Sequence, residues 1–445
     1  DERSQLVVQR PPQRAPLLLA GQHQPLPGAL QVAAQRELAR DGADASAQVV
    51  GEAAVGGAER RARAAAREDE VADALAAVRQ RHAQRAVVVG AGDAVESRDA
   101  EADRERLALP RASHVVVVLL DGLGHHNLEA RRGHAPFLRG AEQGVITAGF
   151  PTTTAASLGL FGTGMPAGRT GMTGYTARNP RTGGLANLVS WDGAYDAREW
   201  QTRPSLLEAG TDAGVTVTTL GKRRFAGSGL TQAVLRGGAF VGAERLAERI
   251  DAALEAARRP GISYCYWGEI DAAGHKHGWG SDHWVAALED ADRELRRLAS
   301  GLPRDAVMVV TADHGMVDVP GAPRWDVADT PALRQDVALV AGEPRAIHVH
   351  LDDRADVTRA AQRWRDTLAG HAVVWTRDEA RADRLLGDVA DEVESRIGDL
   401  VVAMAGRATV VDSRTQTPQS LTLVGMHGSL TPEELLVPWL VVPAT

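Results

Sequence analysis

The chain has 445 residues, 44% hydrophobic and 24% charged, with a formal net charge of -8 at pH 7. That is the make-up of a globular protein long enough to bury a large core in one or two domains, and its acidity argues against nucleic acid or an anionic membrane as the main partner, since both favour a basic surface. The single cysteine, Cys265, excludes an internal disulfide framework and leaves the compartment open with a lean to the cytoplasm; no apolar run nears the roughly 20 residues that span a bilayer, and the early PLLLA is too brief for a signal-peptide core.

Residues 1–106 contain no Lys, Met, Phe, Trp or Tyr. With so few large groups to bury, ordering them would be poorly offset, and the expectation is a low-complexity extension, disordered or loosely helical. Residues 59–75 hold the strongest helix formers. The Ala/Arg bias is also what translated upstream DNA would give, so a misassigned start is a second expectation for this segment.

From Leu107 the texture changes to alternating strand and helix signals, the pattern of an α/β domain with a mostly parallel sheet. Val115 to Leu120 is a continuous β-branched and leucine run, as in a strand buried on both faces, and Asp121 ends it. Residues 136–144 read as a helix, residues 145–148 as a short strand, and FPTTTAAS (150–157) follows, with residues 155–161 continuing as a helix closed by Gly162, Thr163 and Gly164. The threonines therefore lie at a helix N-terminus, where free N–H groups and the dipole favour an anion. Thr152 and Thr153 read as helix-start residues, because such positions favour Thr.

Residues 165–203 form a long loop or substrate-facing insertion with Tyr175, Trp191 and Trp200. After a helix at 205, a strand at 215–220 and a helix with Leu246, Ile250 and Leu254, residues 262–267 make the next buried strand, with Cys265 as a core thiol. GEIDAAGHKHG follows its end. Residues 306–310 lead straight into TADHGM, so three apolar strands end in acidic or His-bearing loops. Residues 318–423 are expected to contain a small cap or inserted region, and GMHGSLTPEELLVPWLVV closes the chain with one more site loop and a final strand.

Asp271 and His275 are four apart, so one helical turn places both on one face; Asp313 and His314 can converge on one ion from a turn. With Asp121 and His427 they make six potential ligands. Phosphate-ester chemistry explains the combination: two divalent cations about 4 Å apart can hold the attacking and leaving oxygens of an in-line displacement. Zinc accepts imidazole and carboxylate together with open positions for substrate, and manganese is the alternative. His125, His126, His134, His277 and His283 read as loop or surface groups, and Glu269 as either an orienting or a solvated residue.

On VVVLLDGLG, FPTTTAAS with Thr163 nine residues after Thr154, EIDAAGHKHG, TADHGM and GMHG, the chain from Leu107 onward resembles the alkaline phosphatase superfamily, and within it the nucleotide pyrophosphatase/phosphodiesterase family. The resemblance implies a three-layer sandwich: a mostly parallel sheet flanked by helices. It implies Thr154 as nucleophile and a first cation on Asp121, Asp313, His314 and Thr154, with a second on Asp271, His275 and His427. The implied mechanism runs through a phosphothreonine intermediate that water then hydrolyses.

Two departures bear on substrate. Where nucleotide-cleaving relatives have an aromatic residue after the nucleophile, this chain has Ala155, and where they have Asn three residues on, it has Ser157. Ser157, Tyr175, Trp191, Trp267 and Trp279 are therefore the candidate substrate contacts. The implied substrate is a small phosphate ester, a nucleotide among the choices, with a phosphomonoester as the competing class. A sulfatase would need Cys or Ser followed by a Pro/Arg pattern, and a phosphoglycerate mutase a large lid between the first two metal motifs. A fold kept as a catalytically silent binding module is the remaining alternative.

Overall fold

The computed structural model describes residues 104–105 and 107–444; the expectations for residues 1–106 otherwise lie outside the described residues. The central sheet has seven strands: β1 (His114–Leu120), β2 (Glu142–Thr147), β3 (Val217–Gly221), β4 (Ala239–Gly242), β5 (Gly261–Trp267), β6 (Ala306–Thr311) and β11 (Leu436–Pro443), in the order β2-β11-β6-β1-β5-β3-β4. β6, β1, β5, β3 and β4 pair in parallel, and β11 is antiparallel to both of its neighbours.

Burial explains the composition of β1. Val116, Val118 and Leu120 enter one core, with helix α3 (Leu246–Ala256) and the buried Trp284, Leu288, Ala291, Leu295 and Leu298 of helix α5 (Asp282–Gly301). Val115, Val117 and Leu119 enter the opposite core, under helices α1 (Thr154–Thr163) and α2 (Gly229–Val234). A strand with apolar neighbours on both faces has no polar positions to alternate with. The spacing of four and three along α5 keeps those five residues on one stripe, and each fully buried Leu contributes about 1.5–3 kcal/mol. The result is the three-layer α/β sandwich.

Between β6 and β11 the chain builds a second, antiparallel sheet of β7 (Val337–Glu343), β8 (Ala346–Leu351), β9 (Ala372–Thr376) and β10 (Leu400–Met404), ordered β7-β8-β10-β9. Ile347, Val349 and Val402 pack on helix α6 (Val357–Thr367) through its buried Trp364. The other face packs Ala346, Val401 and Ala403 with Phe150 and Ala156 of the threonine-rich stretch and Leu430 near the chain end. The small sheet thus sits on the segments that carry the candidate site residues.

Arg345, in the turn between β7 and β8, and Glu434 are both fully buried, joined by Nη2–Oε2 at 2.5 Å and Nε–Oε1 at 3.1 Å. Glu434 also accepts from the Ser429 N–H and the Thr431 hydroxyl, and its carbonyl accepts the Gly315 N–H. One ion pair therefore joins the small sheet to two of the site loops. Glu434→Gln would leave the guanidinium charge without its counterion and should destabilise folding by about 3–5 kcal/mol. A loss below about 1 kcal/mol in the free energy of urea unfolding would contradict that.

Glu343, at the end of β7, is buried, and its Oε2 accepts the Tyr175 N–H at 2.7 Å. Burial pushes its carboxyl from 4.5 up to about 8. The proton is held more tightly in the folded state, so its stabilising contribution is full below about 4.5 and is lost as pH rises through about 8. Glu343→Gln, which cannot ionise, should flatten the fall in urea midpoint across that window. Parallel pH profiles for the two proteins would refute this.

Candidate active site

Three neighbouring parallel strands, β6, β1 and β5, release their C-terminal ends side by side, the edge at which open α/β sheets build their sites. Asp121 follows β1, Asp313 and His314 follow β6, and helix α4 (Glu269–His277) after β5 carries Asp271 and His275. The 425–428 loop enters the same edge ahead of β11. Gly122 has φ +75°, and a Cβ there would lie 2.9 Å from the Asp271 Cα, so only glycine lets the Asp121 turn approach α4 this closely.

Two triads result. Asp121, Asp313 and His314 offer ligand atoms within 4.8 Å of one another, and so do Asp271, His275 and His427. His314 Nε2 lies 3.4 Å from Asp121 Oδ1 and 3.6 Å from Asp313 Oδ2. His275 Nε2 lies 3.3 Å from Asp271 Oδ1 and 3.2 Å from His427 Nε2. The His314 and His427 rings stack at 3.5 Å, bringing the triads into contact.

The hydrogen bonds behind these groups fix which atoms are available. Each imidazole meets a backbone carbonyl through Nδ1: His275 with Gly425 at 2.7 Å, His427 with Thr152 at 2.8 Å and His314 with Gly315 at 3.0 Å. A carbonyl can only accept, so Nδ1 carries the proton and the neutral ring turns its Nε2 lone pair inward, the arrangement usual for metal-ligating histidine. Burial, then His314 and His275, lowers the His427 pKa well below the ordinary histidine value and keeps it neutral.

The carboxylates are aimed in the same way. Asp121 Oδ1, Asp313 Oδ2 and Asp271 Oδ1 are buried with no hydrogen-bond partner among the described residues, while Asp313 Oδ1 accepts from the Gly122 and His314 N–H groups. Burial, then Asp313 and Asp271, raises the Asp121 pKa well above the carboxylate range. Three unpartnered carboxylate oxygens and three inward lone pairs, two of them opposed at 3.2 Å, are costly without a cation and suited to one. The residues fit divalent cations, with N/O ligand sets of the kind zinc accepts.

Thr154 is the first residue of α1, and its Oγ1 is 3.4 Å from His314 Nε2. The first intrahelical bond runs from the Ser157 N–H to the Thr153 carbonyl, so the N–H groups of residues 154–156 precede the helical ladder. Thr153 is the N-cap by backbone but makes no side-chain capping bond. Thr152 does something different: its hydroxyl donates to the Ser429 carbonyl and accepts the Gly428 N–H, tying this stretch to the His427 loop.

The five candidate substrate contacts lie apart from the cleft nearest Thr154. Beside Thr154 an apolar cleft opens between α1, β3, β5 and α2, lined among others by Leu158, Thr219, Phe225, Tyr264 and Tyr266, with Val189 at its rim. None of Ser157, Tyr175, Trp191, Trp267 and Trp279 lines it. Ser157 is buried and donates to the Asp313 carbonyl at 2.8 Å, a support beneath a candidate ligand. Trp267 packs in the opposite core with Arg249 over its ring, because strand alternation turns it away from Tyr264 and Tyr266. Trp191 donates its indole N–H to the Tyr195 carbonyl and packs with Trp200. Trp279 lies under Arg131, with its backbone N–H on Asp318. Tyr175 is exposed, its backbone held by Glu343.

Tyr266 was not anticipated. Its phenol, kept well above its ordinary pKa by burial and then by Asp121 and Asp313, donates to Asp121 Oδ2. Its alternation with Trp267 in ISYCYW was the available signal, but the sequence does not say which face looks toward the site. Glu269 pairs with Lys222 at 2.6 Å, and His277 stacks on His283. Cys265 is buried, its thiol pushed up to about 12 by burial.

The sequence profile of the type I phosphodiesterase / nucleotide pyrophosphatase family matches residues 115–430. No curated protein matches at a significant level. Among solved structures, murine ectonucleotide pyrophosphatase / phosphodiesterase 5 superposes with a TM-score of 0.58 at 17% identity, covering 73% of this chain and 87% of that one. The human counterpart gives 0.59 at 15% identity, covering 74% and 87%. Phosphonoacetate hydrolase from Sinorhizobium meliloti 1021, in complex with phosphonoacetate, gives 0.56 at 22% identity, covering 73% and 89%. At these identities the structural likenesses establish the fold alone.

Proposed function

The chain belongs to the type I phosphodiesterase / nucleotide pyrophosphatase family, a class of phosphoester metallohydrolases, and from that premise we propose that it hydrolyses a phosphodiester or pyrophosphate by double displacement on Thr154. Asp121, Asp313, His314 and Thr154 would hold one divalent cation, and Asp271, His275 and His427 the other, zinc being the first candidate and manganese the second. When bound, such cations supply neutralisation of phosphoryl charge and a lowered pKa for coordinated hydroxyl groups.

The chain's own residues account for the rest. Thr154 Oγ1 loses its proton and attacks phosphorus, the P–O bond to the leaving alcohol or phosphate breaks with a proton taken up by that group, and phosphothreonine forms; water then attacks the same phosphorus, and its proton returns the departing Thr154 oxygen to the hydroxyl. The start of α1 offers N–H groups of residues 154–156 to the phosphoryl oxygens. Tyr266 and the Gly122 N–H orient Asp121 and Asp313, and the three carbonyls behind the histidines fix their tautomers.

The observation that carries this reading is the convergence of six inward-facing atoms beside one threonine hydroxyl: three buried, unpartnered carboxylate oxygens and three imidazole Nε2. The murine relative has been solved in complex with AMP and the bacterial one with phosphonoacetate, both small phosphorus-bearing ligands. The test is a comparison of methyl 4-nitrophenyl phosphate with 4-nitrophenyl phosphate, with and without chelator. We expect chelator-sensitive turnover with the larger kcat/KM on the diester. Faster monoester turnover would move the protein to the phosphomonoesterase class, and turnover of neither with any divalent cation would favour a binding module.

A further inference from the structure

A threonine at a helix N-cap ordinarily turns its hydroxyl back onto the N–H of the second or third helical residue. Thr153 holds that position on α1 and makes no such bond; its hydroxyl hydrogen-bonds instead with the carboxyl of Glu343, the last residue of β7. Thr152, one residue earlier, is likewise turned away, onto Ser429 and Gly428. Among the described residues no side chain therefore caps the N–H groups of residues 154–156, although the sequence puts a capping residue in place.

Glu343 is fixed from several sides. Its Oε2 accepts the Tyr175 N–H at 2.7 Å, and the same segment is pinned next door, where the Thr176 hydroxyl donates to the Gly342 carbonyl and accepts the Gly342 N–H. A Cβ on Gly428 would lie 2.7 Å from Glu343 Cγ and 3.0 Å from its Oε1, so the carboxyl backs directly onto the loop that carries His427. Oε1 is buried with no hydrogen-bond partner among the described residues. Burial pushes the carboxyl up to about 8, so near neutral pH the group that holds Thr153 is uncharged and adds no anion one residue from Thr154.

We infer that Glu343 is a positioning residue of the hydrolytic site: reaching in from the small sheet, it holds the Thr153 hydroxyl off the start of α1 and so keeps the N–H groups of residues 154–156 open to a phosphoryl group. The inference rests on the phosphoester reading for the identity of that group. Released from Glu343, the Thr153 hydroxyl is one side-chain rotation from the N–H of Ala155 or Ala156, and an N–H capped in that way is one that phosphate must win back.

The probe is inorganic phosphate, its Kd measured by equilibrium binding to the Zn²⁺-loaded protein so that turnover plays no part. Glu343→Leu frees the Thr153 hydroxyl and should raise Kd by about threefold to thirtyfold, the worth of one N-cap bond. Glu343→Gln, whose amide oxygen accepts in place of Oε2, should stay close to wild type. Adding Thr153→Val to Glu343→Leu removes the competing hydroxyl and should recover most of the lost affinity. A carboxyl that merely supports the small sheet cannot give that recovery, because a second buried deletion beside the first would only add damage. The kcat/KM on methyl 4-nitrophenyl phosphate should follow the same order.

Equal Kd in wild type and Glu343→Leu, or a double variant no better than Glu343→Leu, would overturn the inference and leave the hydrolase reading in place. Thr153→Val alone decides the question if Glu343→Leu does not fold: it should bind phosphate within about twofold of wild type, and a loss of about tenfold or more would make that hydroxyl part of the phosphate site and overturn the inference. The full pattern in phosphate binding with no ester turnover would uphold the role of Glu343 and count against the hydrolase reading instead. Wild type that binds no phosphate would overturn both.

Discussion

Thr154→Ala should lower turnover of phosphate esters by about 10³-fold or more while leaving the fold intact, because with Thr154 as the proposed nucleophile it removes the attacking oxygen and with it the covalent route. The size of the effect follows from position. Thr154 is partly exposed at the first turn of α1, and its hydroxyl faces His314 Nε2. Its neighbours have other duties: Thr152 is spent on Ser429 and Gly428, and Thr153 is fully enclosed at the N-cap. Neither hydroxyl can replace the lost one. Thr154→Ser keeps the oxygen and should retain measurable turnover, with acid-quenched peptides carrying phosphate at residue 154. Full activity in Thr154→Ala would remove the nucleophile assignment.

Stripping divalent cations with a chelator should have an effect of the same order, a loss of about 10³-fold or more that Zn²⁺ or Mn²⁺ should restore. Asp271→Asn should mimic it in part by weakening one triad and leaving the other. The electrostatics carry this expectation. Asp121, Asp313 and Asp271 bring three carboxylates into one buried pocket, and their mutual repulsion is part of what raises the Asp121 pKa. Bound cations reverse that balance and should raise the thermal midpoint through preferential binding to the folded state. Equal activity and equal midpoint with and without chelator would contradict the two-cation arrangement.

Much of the fold was legible because its central strands have no polar face. VVVVLL, ISYCYW and AVMVV are apolar runs without alternation, which only a sheet covered on both sides requires, and the acidic or His-bearing residues follow directly at strand ends. The six candidate ligands were legible for the same reason: each follows a strand or a recognisable loop, so the topology brings them together without long-range guesswork. The aromatic contacts were not. In ISYCYW one residue of register separates Trp267 in one core from Tyr266 beside Asp121, and composition does not distinguish the two faces. Ser157 lies one turn along α1 from Thr154 but turns beneath Asp313, a consequence of how α1 packs against the β6 loop. The Arg345–Glu434 pair was out of reach as well, since its partners are 89 residues apart and meet only because the small sheet folds back onto the site loops.

The most direct test of the central claim is the number of divalent cations bound per chain, measured by titrating metal-stripped protein with Zn²⁺ while following turnover. The two triads predict two ions, activity completed only as the second binds, and one ion fewer in Asp271→Asn. Binding of no cation at these residues, or full turnover with none bound, would contradict it.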